Sequence, residues 1–235
     1  MKRLLLAACA VVLVVMGVRW AKGDSPLSLV TVKVQNPYPP TSPLYAASQK
    51  FVDGVNADPK LRDHFSGVFT RRGLYAEVTT ALRRGARSLD GPVLVGATTA
   101  MDRALPHLDT HTCAESFRDH DTFDAERSAK MRDALEQISP TQHAHLMDFY
   151  LRALKAEVDD APIRPLDQEA LQSALRNLGD QYQGEYAQRF ANAMRDKAAA
   201  SDEDLCWAGT TLLHGMTLMG DRDREVLSRW GLAGG

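Results

Sequence analysis

Basic residues never gather into a face in this sequence. Beyond residue 22 the densest groups are the pairs Arg71-Arg72 and Arg83-Arg84. Phosphate backbones are held by concentrated positive charge, so nucleic acid is excluded as a partner. The formal net charge of the 235 residues is −2; Lys2, Arg3, Arg19 and Lys22 stand in residues 1–22 without any acid, which leaves −6 on the rest. Signature motifs are missing too. There is no HExxH, no paired CxxC, no GxSxG elbow, no glycine-rich phosphate loop and no Ser/His/Asp order with a local signature. The common zinc, α/β-hydrolase and P-loop classes therefore have no support, and no cofactor is expected. No fixed repeat of about 34 or 40 residues appears, which excludes a standard helical solenoid. Cysteine is scarce, with three in all, so a disulfide-dense scaffold is excluded as well.

Long apolar runs occur at one place only. Lys2 and Arg3 precede fifteen apolar residues, Leu4 to Val18, which is the order of an export signal. The run is shorter than the roughly 20 residues that span a bilayer, but Trp20 and Ala21 extend it. Trp20 suits the interface, and Arg19 and Lys22 can reach the headgroups. Val15-Met16-Gly17 is a poor cleavage site at the edge of the run. Residues 1–22 are expected to be an uncleaved single-pass anchor through residues 4–21, with a removed signal peptide and a soluble periplasmic product as the alternative. Leu6-Ala7-Ala8-Cys9 has the form of a lipoprotein box but comes too early, so Cys9 is read as a small apolar residue. Residues 23–235 then face the periplasmic side of the inner membrane, in the cell envelope.

Residues 23–43 hold five of the eleven prolines and read as an extended tether. Val30, Val32 and Val34 alternate with polar residues, a short-strand pattern. Asn36-Pro37-Tyr38-Pro39-Pro40 favours a stiff polyproline-like path.

From Leu44 onward the apolar residues recur every three or four positions, so residues 44–235 are expected to form one all-α globular domain. Successive stripes run through Phe51, Val52 and Val55; Leu74, Val78 and Leu82; Leu146, Tyr150 and Leu154; Leu171, Leu178, Tyr186 and Met194; and Leu205, Leu212 and Met216. Asp58-Pro59 is a cap followed by proline at the first helical position. Ser139-Pro140-Thr141-Gln142 is a capping box, and Ser201 to Asp204 resembles one. Gly179 and Gly184 are expected to bend or split the fourth of these segments. Gly91 to Met101 is rich in β-branched residues and could be a buried strand, but nothing nearby could pair with it, so helix is preferred.

The stretch Leu105 to Asp121 carries most of the chemistry. His107, Asp109, His111 and Cys113 alternate, with His120 beyond them, and all are zinc-ligand types. With Cys9 in the membrane segment, however, Cys113 and Cys206 are left as a pair in an oxidising compartment. A disulfide between them is preferred, since a bonded Cys113 offers no thiolate to zinc. Trp207 is expected to pack beside it. The acid pairs Asp159-Asp160 and Asp202 to Asp204 are read as helix-end residues. Arg72 and Tyr75, with Arg83 and Arg87, fall three or four positions apart and form a candidate anion-binding patch. His143 and His145 lie about 200° apart around a helix and cannot chelate together.

The function expected from this is non-enzymatic: an envelope protein that binds a protein or cell-wall partner, of adaptor, inhibitor or immunity type. The alternative is a metal-assisted hydrolase built on His107, Asp109, His111 and His120. A helical pocket for a small apolar ligand is a third reading, and it requires a cavity.

Overall fold

The computed structural model describes residues 19–21, 31–66, 68, 70–118 and 125–233. The expected anchor through Val18, most of the first half of the tether, Cys9 and His120 lie outside the described residues.

Two three-residue strands open the described chain, β1 (Arg19–Ala21) and β2 (Thr31–Lys33), paired antiparallel with Trp20 opposite Val32. Arg19 to Ala21, assigned from the sequence to the end of the membrane segment, are thus extended. Eleven α-helices follow among the described residues: α1 (Tyr45–Ala57), α2 (Pro59–Phe65), α3 (Arg71–Ala86), α4 (Gly91–Ala104), α5 (Thr110–Phe117), α6 (Ala125–Leu135), α7 (Pro140–Val158), α8 (Gln168–Gly179), α9 (Gly184–Arg195), α10 (Asp202–Leu218) and α11 (Asp221–Ala233). No helix among the described residues is long and apolar enough to cross a membrane.

Caps fix where these helices begin. The Asp58 side chain accepts from Lys60 and Leu61 N–H, with Pro59 at the first position of α2. Ser139 and Gln142 form the reciprocal capping box of α7. Ser201 accepts from Asp204 N–H, but the return bond of a box is absent and the Asp204 carboxylate accepts a hydrogen bond from the Ser201 hydroxyl instead. Aspartate is one methylene too short to reach back to the cap N–H. Gly91 to Ala104 is helical, with Pro92 in its first turn. The long fourth segment is split into α8 and α9, as the glycines suggest, and Gly184 takes a left-handed φ of +60°.

Helix α7 is central: it packs against α1, α2, α3 and α4. Its crossing with α3 is close because Gly85 has no side chain; a Cβ there would lie 1.7 Å from the Ala153 carbonyl oxygen. On the other side α10 packs on α4, α5, α9 and α11, and α11 returns against α3, α4 and α8. Leu61, Leu82, Leu94, Met101, Leu146, Phe149, Tyr150, Leu205 and Met216 are buried in one continuous core. The all-α fold and the Cys113–Cys206 pair, 93 residues apart and bonded, are as expected.

The second half of the expected tether lies on the domain. Asn56 accepts from Val34 N–H at 3.0 Å and donates to Val34 C=O at 2.8 Å, so its amide stands in for a neighbouring strand. Asn36 donates to Tyr45 C=O and to Gln49. Tyr38 is buried, its ring edge-on to His143 at 5.4 Å. Residues 34–43 therefore form a strap over α1 and α7 rather than a free spacer.

Candidate functional site

Among the described residues, an open cleft of about 610 Å³ lies where the end of α4, the turn after α8 and the second half of α10 meet. Three separate parts of the chain supply it. Asp102, Arg103, Pro106 and His107 come from the end of α4 and the 3-10 turn Leu105–His107, Gln181 and Tyr182 from the turn, and Thr210, Thr211, His214, Gly215 and Leu218 from α10. Asp102 is buried, and its carboxylate lies 3.4 Å from His214 Nδ1 and 3.8 Å from Arg103 Nε. The contacts are long, so they orient the imidazole more than they bind it. His214 is about half exposed and faces the cleft, with Nε2 free of partners among the described residues. Two of the cleft hydroxyls are committed inward: Tyr182 donates to Thr211 C=O at 2.9 Å, and Thr210 to Cys206 C=O at 2.8 Å. Leu218, 66% exposed, forms an apolar rim.

His107 thus lines this cleft, while its sequence neighbours are directed elsewhere. Asp109 caps α5: its carboxylate accepts from Thr112 N–H and hydroxyl and pairs with Lys130 at 3.1 Å. These bonds, led by the two to Thr112, hold its pKa down at about 2. His111 turns to Asp202, Nδ1 to carboxylate at 2.7 Å, and the same carboxylate raises its pKa. The proposed set His107, Asp109 and His111 is not assembled.

Among the described residues, the acids and histidines close enough to share an ion are His111, Glu115 and Asp202. That group already holds a cation. Arg118 reaches Glu115 at 2.5 Å and Asp202 at 2.6 Å, and donates to the carbonyls of Lys197 and Ala200. Two carboxylates, one guanidinium and a histidine biased toward its charged form balance locally. With the bonded cysteines beside it, the stretch ties α5 to the start of α10. It does not bring together His107, Asp109 and His111, the set of the alternative metal reading.

The candidate anion patch is also dispersed. Tyr75 is 1% exposed and points into the core, since it shares the inward stripe with Leu74 and Val78. Arg72 and Arg87 are exposed at opposite ends of α3, and Arg84, the neighbour of Arg83 in the basic pair, is engaged by Glu157. Trp207 meets the Arg189 guanidinium 4.7 Å over its ring and packs toward Tyr186 of α9. Asp159 sits at the carboxyl end of α7, where an acid is unfavourable to the helix dipole, and is offset by Lys60 at 2.6 Å. Asp102 and His214 went unnoticed in the sequence, and Tyr182 was read there only as one position of an apolar helical stripe.

Searches against protein-family models, curated proteins and solved structures find no match to this chain.

Proposed function

We propose that this chain is a non-enzymatic helical binding protein of the cell envelope, adaptor, inhibitor or immunity factor in type, which takes a protein or cell-wall partner in the cleft. Anchorage through residues 4–21, with residues 23–235 on the periplasmic side, belongs to the same reading and rests on the apolar run after Lys2 and Arg3. The observation that carries it is the cleft: open, of about 610 Å³, with exposed Arg103 and His214 beside the apolar rim of Leu218. Mixed polar and apolar groups on rigid helices suit a polar chain segment better than an enclosed small molecule. The test is recovery of a partner from solubilised envelopes with wild-type protein, Leu218→Glu and Arg103→Glu. A partner retained by wild type and lost from both variants is expected; equal recovery by all three removes the cleft from the proposal.

One observation favours a second reading. A buried carboxylate at His214 Nδ1 leaves Nε2 toward the cleft, the arrangement of a general base. Proton transfer at His214 would then replace the metal-assisted chemistry considered for His107, Asp109 and His111. An ester-hydrolysis rate that His214→Gln leaves unchanged rules it out.

A further inference from the structure

Behind the cleft, on the other side of Tyr182, lies a second cavity between α8, α9, α10 and α11. We propose that this cavity is a binding site for a small uncharged apolar molecule, an aromatic ring or short alkyl chain. Its walls are Leu178, Ala187, Phe190, Met194, Leu212 and Trp230, and no charged residue lines it. Its volume is about 210 Å³; apolar cavities of ~150 Å³ already stay dry and admit benzene.

The chemistry of the wall selects the ligand. Tyr182 stacks its ring on Phe190, centroids 5.6 Å apart and planes within 10°. Its hydroxyl proton is donated to Thr211 C=O, so it has no donor left for a polar guest. A guest with a buried polar group would lose hydration without gaining a partner. An apolar guest restores dispersion contacts that the void forfeits.

Helix α9 is the cover. It buries only Ala193 and Met194 fully, and its main neighbour is α10. A turn ending at left-handed Gly184 joins it to α8. Arg189 holds it down through Asp204, at 2.6 Å, and through the Trp207 ring. A swing of α9 away from the cavity would break this exposed ion pair and lift Ala193 and Met194 from the core.

The test uses the full chain in lipid nanodiscs, labelled at the methionine methyls and titrated with toluene. The Met194 methyl is expected to shift saturably, while the core methyls of Met101 and Met147 stay in place. Ala187→Phe fills the cavity from the cover side and should abolish the Met194 response. The Met101 and Met147 signals report whether that variant is folded; if it is not, Ala187→Leu takes its place. Leu218→Glu, in the polar cleft, should leave toluene binding intact, which separates this site from the partner cleft. No saturable shift at Met194, or an undiminished shift in the folded filled variant, overturns the proposal.

Discussion

Acidification should loosen this domain through one residue, His143. The side chain is fully buried, with Nε2 2.8 Å from Ser48 Oγ, the edge of Tyr38 against its ring, and Nδ1 buried without a partner. Protonation would place a charge and a second donor where there is no acceptor, and burial accordingly pushes its pKa down to about 4. The acids and base nearest this corner, Glu136, Asp133 and Arg132, bear on Tyr38, whose hydroxyl is held far above its usual range by burial first. An unfolded histidine titrates near ~6.5. Between the two values the unfolded chain binds a proton that the native chain refuses. The stability is therefore complete above the unfolded value and drains away as pH falls toward the folded one.

The depression from ~6.5 to about 4 corresponds to about 3 kcal/mol in the limit, of which about 2 kcal/mol is lost by pH 5. Other groups titrate differently. His111, raised by Asp202, stabilises below its unfolded value and loses that contribution as pH rises through the folded one, the opposite slope. Asp58, Asp109, Asp202 and Asp204 are lowered, so their contributions fade only as pH falls below the ordinary carboxylate range. Urea unfolding of wild type and His143→Leu at about pH 7.5 and pH 5 isolates the His143 share, because every other group is common to both. Wild type should lose about 2 kcal/mol more than the variant over this interval. The amide protons of Val34 and Tyr38, on the strap, should exchange faster first. Parallel pH profiles in the two proteins would refute the reasoning.

Three further outcomes follow from packing and covalent structure. Cys113→Ala with Cys206→Ala should lower stability by about 4–5 kcal/mol, given the 93-residue separation; the intact mass of the unreduced protein, about 2 Da under the fully reduced value, reports the bond itself. Gly85→Ala puts a methyl 1.7 Å from a backbone oxygen that cannot rotate away, so α3 and α7 must part, at roughly 2–3 kcal/mol by chemical denaturation; an unchanged midpoint contradicts the close crossing. Ser139→Ala removes the acceptor for Gln142 N–H and should cost about 1 kcal/mol, with the loss confined to the first turn of α7 in hydrogen exchange.

Local pattern was the readable part of this sequence. Apolar spacing placed α1, α3, α7 and α10, and their stripes are the buried faces, because a helix in a single-core domain must hide its apolar side. Side-chain caps at Asp58 and Ser139 were readable for the same local reason. Helix α6 was passed over: its stripe is short, and buried Arg127 and Ser128 share it with Met131, Ala134 and Leu135. The reading of residues 34–43 as a spacer failed because proline content describes backbone stiffness and not what a tyrosine finds to cover. Tyr38 docks because His143, about a hundred positions further along the chain, presents its ring to it.

The cleft demanded long-range information, and the sequence contained one piece of it. Pairing Cys113 with Cys206 fixes α5 beside α10. His214 follows Cys206 by eight residues, about 12 Å of helix, and His107 precedes Cys113 by six. A bond between those cysteines puts both histidines within about two or three helical turns of a shared point but leaves the direction of each helix open; the structure has them lining one cleft. The alternation of His107, Asp109 and His111 pointed instead to a local metal set. That pattern presumed one extended strand or one helix, whereas a 3-10 turn and a fresh helix start intervene. The change of element sends His107 to the cleft, Asp109 to a cap and His111 to Asp202. The disulfide was the better guide because a covalent constraint holds whatever secondary structure lies between its ends.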